Sequence, residues 1–195
     1  MKKKILTLNG SPFKNGKTAK LAKIVLENVD KAIYETELIH VNDMNITPCR
    51  GCESCRKTGE CVIKDDMQAL YQKFDEMDVL ILATPVYWSN MSGQLKILFD
   101  RSVHKFEDFS QGGIPKKLQK GKRAVVITVC NAPWITGITR RQYILANKSI
   151  NVVLREGGIK CVAKITHMGS MKTIGKYVPL KPHVVKKAKK VGKNL

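Results

Sequence analysis

Val79-Leu80-Ile81-Leu82-Ala83 is a run of five residues without a polar side chain. A strand with one face in water alternates apolar and polar residues, so such a run belongs to a strand covered on both faces. Covering both faces of a sheet takes helices, and the chain supplies them in alternation. Ile5-Leu6-Thr7-Leu8 reads as the first strand. Residues 19–29 then place apolar side chains at 21, 22, 25, 26 and 29, one face of a helix. Glu37-Leu38-Ile39-His40-Val41 reads as a second strand, and residues 42–64 as a long polar loop. Asp65-Asp66-Met67 opens a helix with Leu70, Tyr71 and Phe74 on one side, its two carboxylates suiting a cap and the helix dipole. The run at 79–83 is the third strand, followed by a helix over about 93–104 and an irregular link over 105–120. Ala124-Val125-Val126-Ile127-Thr128-Val129-Cys130 is the fourth strand and 159–166 the fifth. Helices lie over 137–155 and, closing the chain with a basic segment, 183–192. This alternation predicts one α/β domain over residues 1–195, with a five-stranded parallel sheet in the order 2-1-3-4-5 between two helical layers. Ligands in that topology bind where the order reverses, at the carboxyl ends of the first and third strands.

Two loops meet at that reversal. Asn9-Gly10-Ser11-Pro12-Phe13-Lys14-Asn15-Gly16-Lys17-Thr18 connects a strand to a helix, where backbone N–H groups and the positive end of the helix dipole favour a phosphate. Ser11 and Thr18 add hydroxyls, Lys14 and Lys17 add charge, and Gly10 and Gly16 are expected to permit tight turns. Five residues separate the two glycines where a P-loop has four, and the pattern is not G-x-G-x-x-G either. The second loop, Thr84-Pro85-Val86-Tyr87-Trp88-Ser89-Asn90-Met91-Ser92, offers a rigid turn, backbone amides and aromatic surface to a flat ring. Packing of Tyr87 and Trp88 beneath the following helix is the competing reading.

Cys49, Cys52, Cys55 and Cys61 fall within thirteen residues in the spacing C-x2-C-x2-C-x5-C. In a chain of this size the group reads as a metal site or as reactive thiols rather than a disulfide scaffold. Four thiolates suit one [4Fe–4S] cluster. Zinc is open as well, although its usual knuckles pair two C-x2-C units, and free redox-reactive thiols are the third reading. Cys130 and Cys161 lie on strands and read as packing residues.

The formal charge of +19 is uneven: residues 1–111 carry 16 basic and 15 acidic side chains, residues 112–195 carry 19 basic and one acidic, Glu156. That half could favour phosphate-rich ligands, but 28 of the 35 basic residues are Lys, which solvated surfaces hold easily. No aromatic-interleaved basic run is present, so dedicated nucleic-acid binding is not expected. No apolar stretch reaches the roughly 18 residues of a spanning helix. The apolar run after Met1-Lys2-Lys3-Lys4 breaks at Asn9-Gly10, too early for a secretion signal, so a cytoplasmic location is expected.

The stretch around Gly10-Ser11-Pro12 resembles the phosphate loop of the flavodoxin-like NAD(P)H-dependent FMN reductases, G-S-P-R-x-x-G-x-T, and departs from it at Phe13. T-P-V-Y-W-S-N-M-S-G-Q-L-K-I-L-F-D-R-S, residues 84–102, resembles their second flavin loop. The cysteine segment C-R-G-C-E-S-C-R-K-T-G-E-C, followed by Val62-Ile63-Lys64-Asp65-Asp66-Met67, resembles the iron–sulfur flavoproteins. The resemblance implies a flavodoxin-like three-layer fold, FMN as cofactor and NAD(P)H as electron donor. It implies a quinone, nitro compound, flavin or protein as acceptor. It implies Ser11, Lys14, Asn15, Gly16, Lys17 and Thr18 around the FMN phosphate, and Pro85, Val86, Tyr87, Trp88 and Ser89 around the isoalloxazine. Asn131, with Pro133 and Trp134, stands at the ring edge, and Lys96, Asp100 and Arg101 lie on the supporting helix, the last two in a structural ion pair. No catalytic side chain is implied, because the flavin itself accepts the hydride. The iron–sulfur branch adds Cys49, Cys52, Cys55 and Cys61 as ligands of a [4Fe–4S] cluster and an alternative role as electron carrier. A homodimer or higher homo-oligomer is implied too. A basic α/β binding protein without redox chemistry is the remaining alternative.

Overall fold

The computed structural model describes residues 2–110, 112–173 and 176–195, with side chains described at all of these except 134, 171–173, 176 and 177. In chain order the elements are β1 (Lys3–Asn9), α1 (Lys17–Glu27), β2 (Tyr34–His40), a 3-10 turn (Val41–Asp43), α2 (Ser54–Thr58), α3 (Met67–Glu76) and β3 (Val79–Pro85). There follow α4 (Gly93–Arg101), α5 (Val103–Phe106), β4 (Glu107–Asp108), β5 (Lys116–Lys117), β6 (Arg123–Cys130) and α6 (Trp134–Thr139). The chain closes with α7 (Gln142–Gly157), β7 (Lys160–Met168), β8 (Met171–Thr173), β9 (Lys176–Tyr177) and α8 (Pro182–Lys193).

The main sheet is parallel throughout in the order β2-β1-β3-β6-β7, the expected 2-1-3-4-5. All five residues of the run 79–83 are fully buried. Leu80 and Leu82 enter a core with Leu70 and Phe74 of α3, Leu98 of α4 and Leu154 of α7. Val79, Ile81 and Ala83 enter a second core with Leu21 and Val25 of α1 and Ala188 of α8. Successive side chains of one strand thus anchor both helical layers.

Local geometry refines several predicted boundaries. The helix expected over 93–104 breaks at Ser102, whose hydroxyl donates to Leu98 O at 2.7 Å and draws the chain out of helical register. The irregular link contains the β4–β5 hairpin, turned by Gly112 and Gly113 at φ +67° and +70°. The helix expected over 137–155 is two helices, α6 and α7, separated where Arg141 takes φ +52°. The polar loop at 42–64 contains α2, whose Arg56 guanidinium lies 4.5 Å from the centroid of the Phe109 ring. At the edge strand β7 a bulge sets Ala124 opposite Cys161 and Val125 opposite Ala163, skipping Val162. Cys161 consequently packs against one core and Ala163 against the other, while Lys160 and Lys164 face solvent and guard the edge. Cys130 is buried and Cys161 half-buried.

Two further features hold α8 in place. A Cβ on Gly192 would stand 2.4 Å from Val25 O, so a glycine lets α8 lie directly on α1. His167, fully buried on β7, accepts a hydrogen bond at Nε2 from the Lys181 N–H at 3.3 Å, where the chain enters α8. Burial, reinforced by the charges of Lys17 and Lys181, pushes the His167 pKa down to about 4.

Gly192→Ala should destabilise the fold by about 1–3 kcal/mol, because backbone atoms must separate to admit the methyl group. Gly93→Ala, where nothing lies within 4 Å of the new Cβ, should be neutral or stabilising. Urea melts of both variants check the contrast, and equal midpoints would show that α8 packs differently. The unfolded chain protonates His167 near the ordinary pKa of about 6.5, whereas the folded chain resists until about pH 4. Stability should therefore fall as pH is lowered through that window. His167→Gln should lose less stability than wild type between pH 7.5 and pH 5, with a residual slope because His40 and His104 are also lowered by burial. An unchanged slope in denaturation curves would remove His167 as the source.

Candidate functional site

A cleft of about 860 Å³ opens at the carboxyl ends of β1, β3 and β6. Its position follows from two ties between loops and sheet. The Gly10 N–H donates to Ala83 O at 2.8 Å, fastening the first loop to β3, and the Val86 N–H donates to Val129 O at 2.8 Å, fastening the second to β6. Gly10 does not serve a tight turn, contrary to expectation. A Cβ there would lie 2.7 Å from Ser92 Oγ and 2.9 Å from Leu95 Cβ, so the glycine lets β1 run close beneath the start of α4. Gly16, at φ −70°, has no turn requirement either; its Cβ would press at 3.1 Å on Phe13 Cβ.

Residues 11–18 line one end of the cleft. Ser11 is buried, its N–H donating to Asn9 Oδ1 and its Oγ accepting the Phe13 N–H, both at 3.2 Å. Thr18 is buried in the first turn of α1, Asn15 is exposed at the rim, and Lys14 forms a 2.7 Å ion pair with Asp43. Lys17 Nζ donates to Ser170 O at 2.8 Å, and burial followed by the charge of Lys20 lowers its pKa. Gly16 gives α1 no side-chain cap and the first turn holds no acid, so the amide end of the helix dipole is not neutralised from within the helix. None of the described lining residues is acidic.

Pro85, Val86 and Tyr87 form the wall opposite. Tyr87 and Asn90 exchange N–H···O bonds of 3.0 and 2.9 Å across a two-residue turn, forcing Trp88 and Ser89 to φ +49° and +61°. Non-glycine residues held there cost on the order of 1 kcal/mol each, and fixed surroundings sustain them. The Ser92 N–H donates to Thr84 Oγ1 at 2.9 Å, and Ser92 Oγ caps α4 through the Leu95 N–H. Trp88 is fully exposed, which rules out the reading that packs it under α4, and Trp88 and Ser89 do not line the cleft. Asn131 does, its Oδ1 accepting the Ser170 hydroxyl. The Trp134 side chain lies outside those described.

Ser170, Val178, Pro179 and Leu180 supply a wall that the sequence reading lacked. The Gly169 N–H donates to Ala132 O at 2.8 Å and the Ser170 N–H to Cys130 O at 3.2 Å, folding the segment after β7 back over β6. The only trace in the sequence is Gly169, which takes φ +64° at the end of β7.

The cysteine loop is a separate structure. Cys49 and Cys52 are exposed, Cys55 and Cys61 half-buried, and all are free thiols. Burial, and then the charges of Cys61, Cys49 and Cys52, push the Cys55 thiol pKa up. In this conformation no three His, Cys, Asp or Glu among the described residues converge at metal-binding range. Arg101 and Asp65 pair at 2.7 Å beneath the loop with side chains 0% and 4% exposed. Asp100 pairs instead with Lys96 at 2.5 Å, so the adjacent acid and base serve two different ion pairs. Burial pushes the Asp65 pKa up, but Arg101 and the N–H groups of Thr47 and Met67 outweigh it and hold the carboxyl below its usual range. Asp66 spends its carboxylate on the Asn45 N–H, and Asp65 accepts the Met67 N–H that opens α3.

Comparison with known proteins agrees with this architecture. The model of the NADPH-dependent FMN reductases matches residues 3–168. An iron-sulfur flavoprotein of Archaeoglobus fulgidus is 41% identical over 99 residues, 51% of this chain and 48% of that protein. One of Methanosarcina thermophila is 40% identical over 100 residues, 51% of this chain and 52% of that protein. The chain thus spans about half the length of the curated relatives it matches. The crystal structure of an azoreductase from Bacillus anthracis superimposes with a TM-score of 0.76 at 13% identity, covering 99% of this chain and 100% of the other, which shows the shared fold. With the family model spanning both cleft loops and the whole main sheet, this flavodoxin-like chain belongs to the NADPH-dependent FMN reductase family.

Proposed function

We propose that this chain is an FMN-dependent NAD(P)H oxidoreductase that delivers electrons to a quinone, a nitro compound, a flavin or a protein acceptor. The observation that carries the reading is the cleft itself, in which an uncapped helix N-terminus faces a proline-stiffened wall across a space suited to a mononucleotide. The buried hydroxyls of Ser11 and Thr18, the amides opening α1 and the charge of Lys17 fit a phosphate. Pro85, Val86 and Tyr87 fit one face of a flat ring, and Asn131 fits its polar edge. When bound, FMN supplies the chemistry, taking hydride from a nicotinamide and releasing electrons to an acceptor. The chain then binds, orients and limits water. The described lining holds no carboxylate, imidazole or thiol; its titratable groups are Lys14, Lys17, Lys20 and Tyr87.

A second reading, that the cysteine loop holds a [4Fe–4S] cluster exchanging electrons with the flavin, draws on four free thiols within thirteen residues of one loop. Identity to proteins named iron-sulfur flavoproteins supports it. The thiolates must move together to close on a cluster, as a loop held mainly at its ends allows. We also read the chain as a homodimer or higher homo-oligomer. Exposed Ile135, Ile138, Ile144, Leu145 and Val152 on α6 and α7 offer apolar surface for it. No helix among the described residues is long and apolar enough to cross a membrane.

Ser11→Ala combined with Thr18→Ala should weaken FMN by about a hundredfold or more, since the two lost charge-assisted hydrogen bonds contribute about 1.5 kcal/mol each or more. Riboflavin, which lacks the phosphate, should bind nearly as before. Equal weakening of both in fluorescence titrations would place the phosphate elsewhere. Anaerobic reconstitution tests the cluster: Cys→Ser at 49, 52, 55 or 61 should each lower iron and sulfide per chain sharply while FMN stays near one per chain. A wild-type chain that takes up neither iron nor sulfide would leave a plain flavin reductase.

A further inference from the structure

The Arg101 side chain is fully buried, yet it lies on the helix beneath the cysteine loop rather than at the cleft. Its guanidinium reaches both sides of that loop. Nη1–H donates to Thr47 O at 2.6 Å, two residues before Cys49, and Nη2–H donates to Ile63 O at 3.2 Å, two residues after Cys61. Both nitrogens also grip the Asp65 carboxylate, at 2.7 and 3.2 Å. Asp65 closes the circle by accepting the Thr47 N–H at 2.9 Å. From below, the Tyr71 hydroxyl donates to Arg101 O at 2.9 Å. The thirteen residues from Cys49 to Cys61 are therefore a loop whose two ends are pinned to one planar cation. Its tip, by contrast, is solvent-facing, with Cys49, Cys52 and Glu53 exposed.

One donor is left over. The Arg101 Nε–H is buried and has no hydrogen-bond partner. Leaving a charged donor unsatisfied costs free energy, so the site keeps one unspent donor beside the loop it clasps. The Ile63 carbonyl that Arg101 holds stands two residues after Cys61, a half-buried thiol packed against the core. A cluster bound by four thiolates carries net negative charge, and a buried cation at its foot offsets that charge.

We propose that Arg101 is the positioning residue of the cysteine loop, clasping its neck so that the four thiols close on a [4Fe–4S] cluster and opposing the negative charge of the assembled centre. The inference rests on the cluster reading above and goes beyond it by assigning a residue outside the cysteine motif. Two consequences separate it from a merely structural ion pair. Pinning the ends lowers the entropy lost when the tip closes, so the clasp should govern metal uptake. The charge should also make the reduced, more negative cluster easier to reach.

The experiment compares wild type, Arg101→Lys and Arg101→Met, each first checked for FMN at one per chain to show that the fold and the cleft survive. Arg101→Lys keeps the charge but cannot reach Thr47, Ile63 and Asp65 together; Arg101→Met loses both charge and fork. After anaerobic reconstitution, Arg101→Met should retain less than half of the wild-type iron and sulfide. Its residual cluster should titrate at a more negative potential, with Arg101→Lys nearer wild type in potential than in iron content. In the cluster-free proteins, alkylation of the four loop cysteines followed by mass spectrometry should be several-fold faster in both variants. Wild-type iron content, potential and alkylation rates in flavin-loaded variants would overturn the proposal. If wild type itself takes up no iron, the cluster reading and the centre assigned to Arg101 fall together. Unchanged alkylation rates would then discard the clasp as well, while faster rates would keep it as a clasp on free thiols. Should Arg101→Met fail to bind FMN, Arg101→Lys decides alone through the same three readings.

Discussion

Every layer of this molecule is held in place by the burial of β3 on both faces. Leu80 and Leu82 commit one face to α3, α4 and α7, and Val79, Ile81 and Ala83 commit the other to α1 and α8. Full burial of a Leu, Ile or Val side chain stabilises by about 1.5–3 kcal/mol, so neither face can be left to water. The parallel order follows, because parallel neighbours need crossover connections and those connections are the helices themselves. Once β1 and β6 flank β3, with β2 and β7 outside them, the carboxyl ends of β1, β3 and β6 stand side by side with their exit loops above. The cleft is a consequence of topology before any of its side chains is considered.

What the cleft does with that position is electrostatic. The α1 helix begins at Lys17 without a capping side chain or an acid in its first turn, and the described lining carries lysines but no carboxylate. The strained turn at Trp88 and Ser89 shows that the second loop is shaped at a cost, sustained by the paired N–H···O bonds of Tyr87 and Asn90. Exposure of Trp88 leaves a large aromatic surface beside the cleft but outside its lining.

The Arg101–Asp65 pair has a different logic. Removing both charges from water costs several kcal/mol, and the return depends on complete hydrogen bonding. Three of the acceptors used, Thr47 O, Ile63 O and the Asp65 carboxylate, belong to the two ends of the cysteine loop. Such a pair is a poor source of stability compared with apolar packing, and a good device for fixing where a loop starts and ends.

Fold class, strand order and the cleft's two principal loops were legible in the sequence, because side-chain periodicity and strand-to-helix connections are local properties that the chain writes in adjacent residues. Residues 11–18 and Pro85, Val86, Tyr87 and Asn131 accordingly line one cleft. Other parts depend on atoms distant in sequence. Gly10 looked like a turn residue and is a spacer against Ser92 and Leu95, more than eighty positions away. Arg101 and Asp100, adjacent in the chain, turn to unrelated partners because successive helical residues point about 100° apart. Ser170 and residues 178–180 reach the cleft through hydrogen bonds to distant segments, from the Gly169 and Ser170 N–H groups to Ala132 O and Cys130 O and from Lys17 Nζ to Ser170 O, which leave no compositional mark. By itself, the sequence determined which segments are buried, their order in the sheet and the chemical character of the loops. The tertiary structure alone decided which of those loops share a wall and which buried charge joins the two ends of the cysteine loop, since contacts between distant segments exist only after the sheet has brought them together.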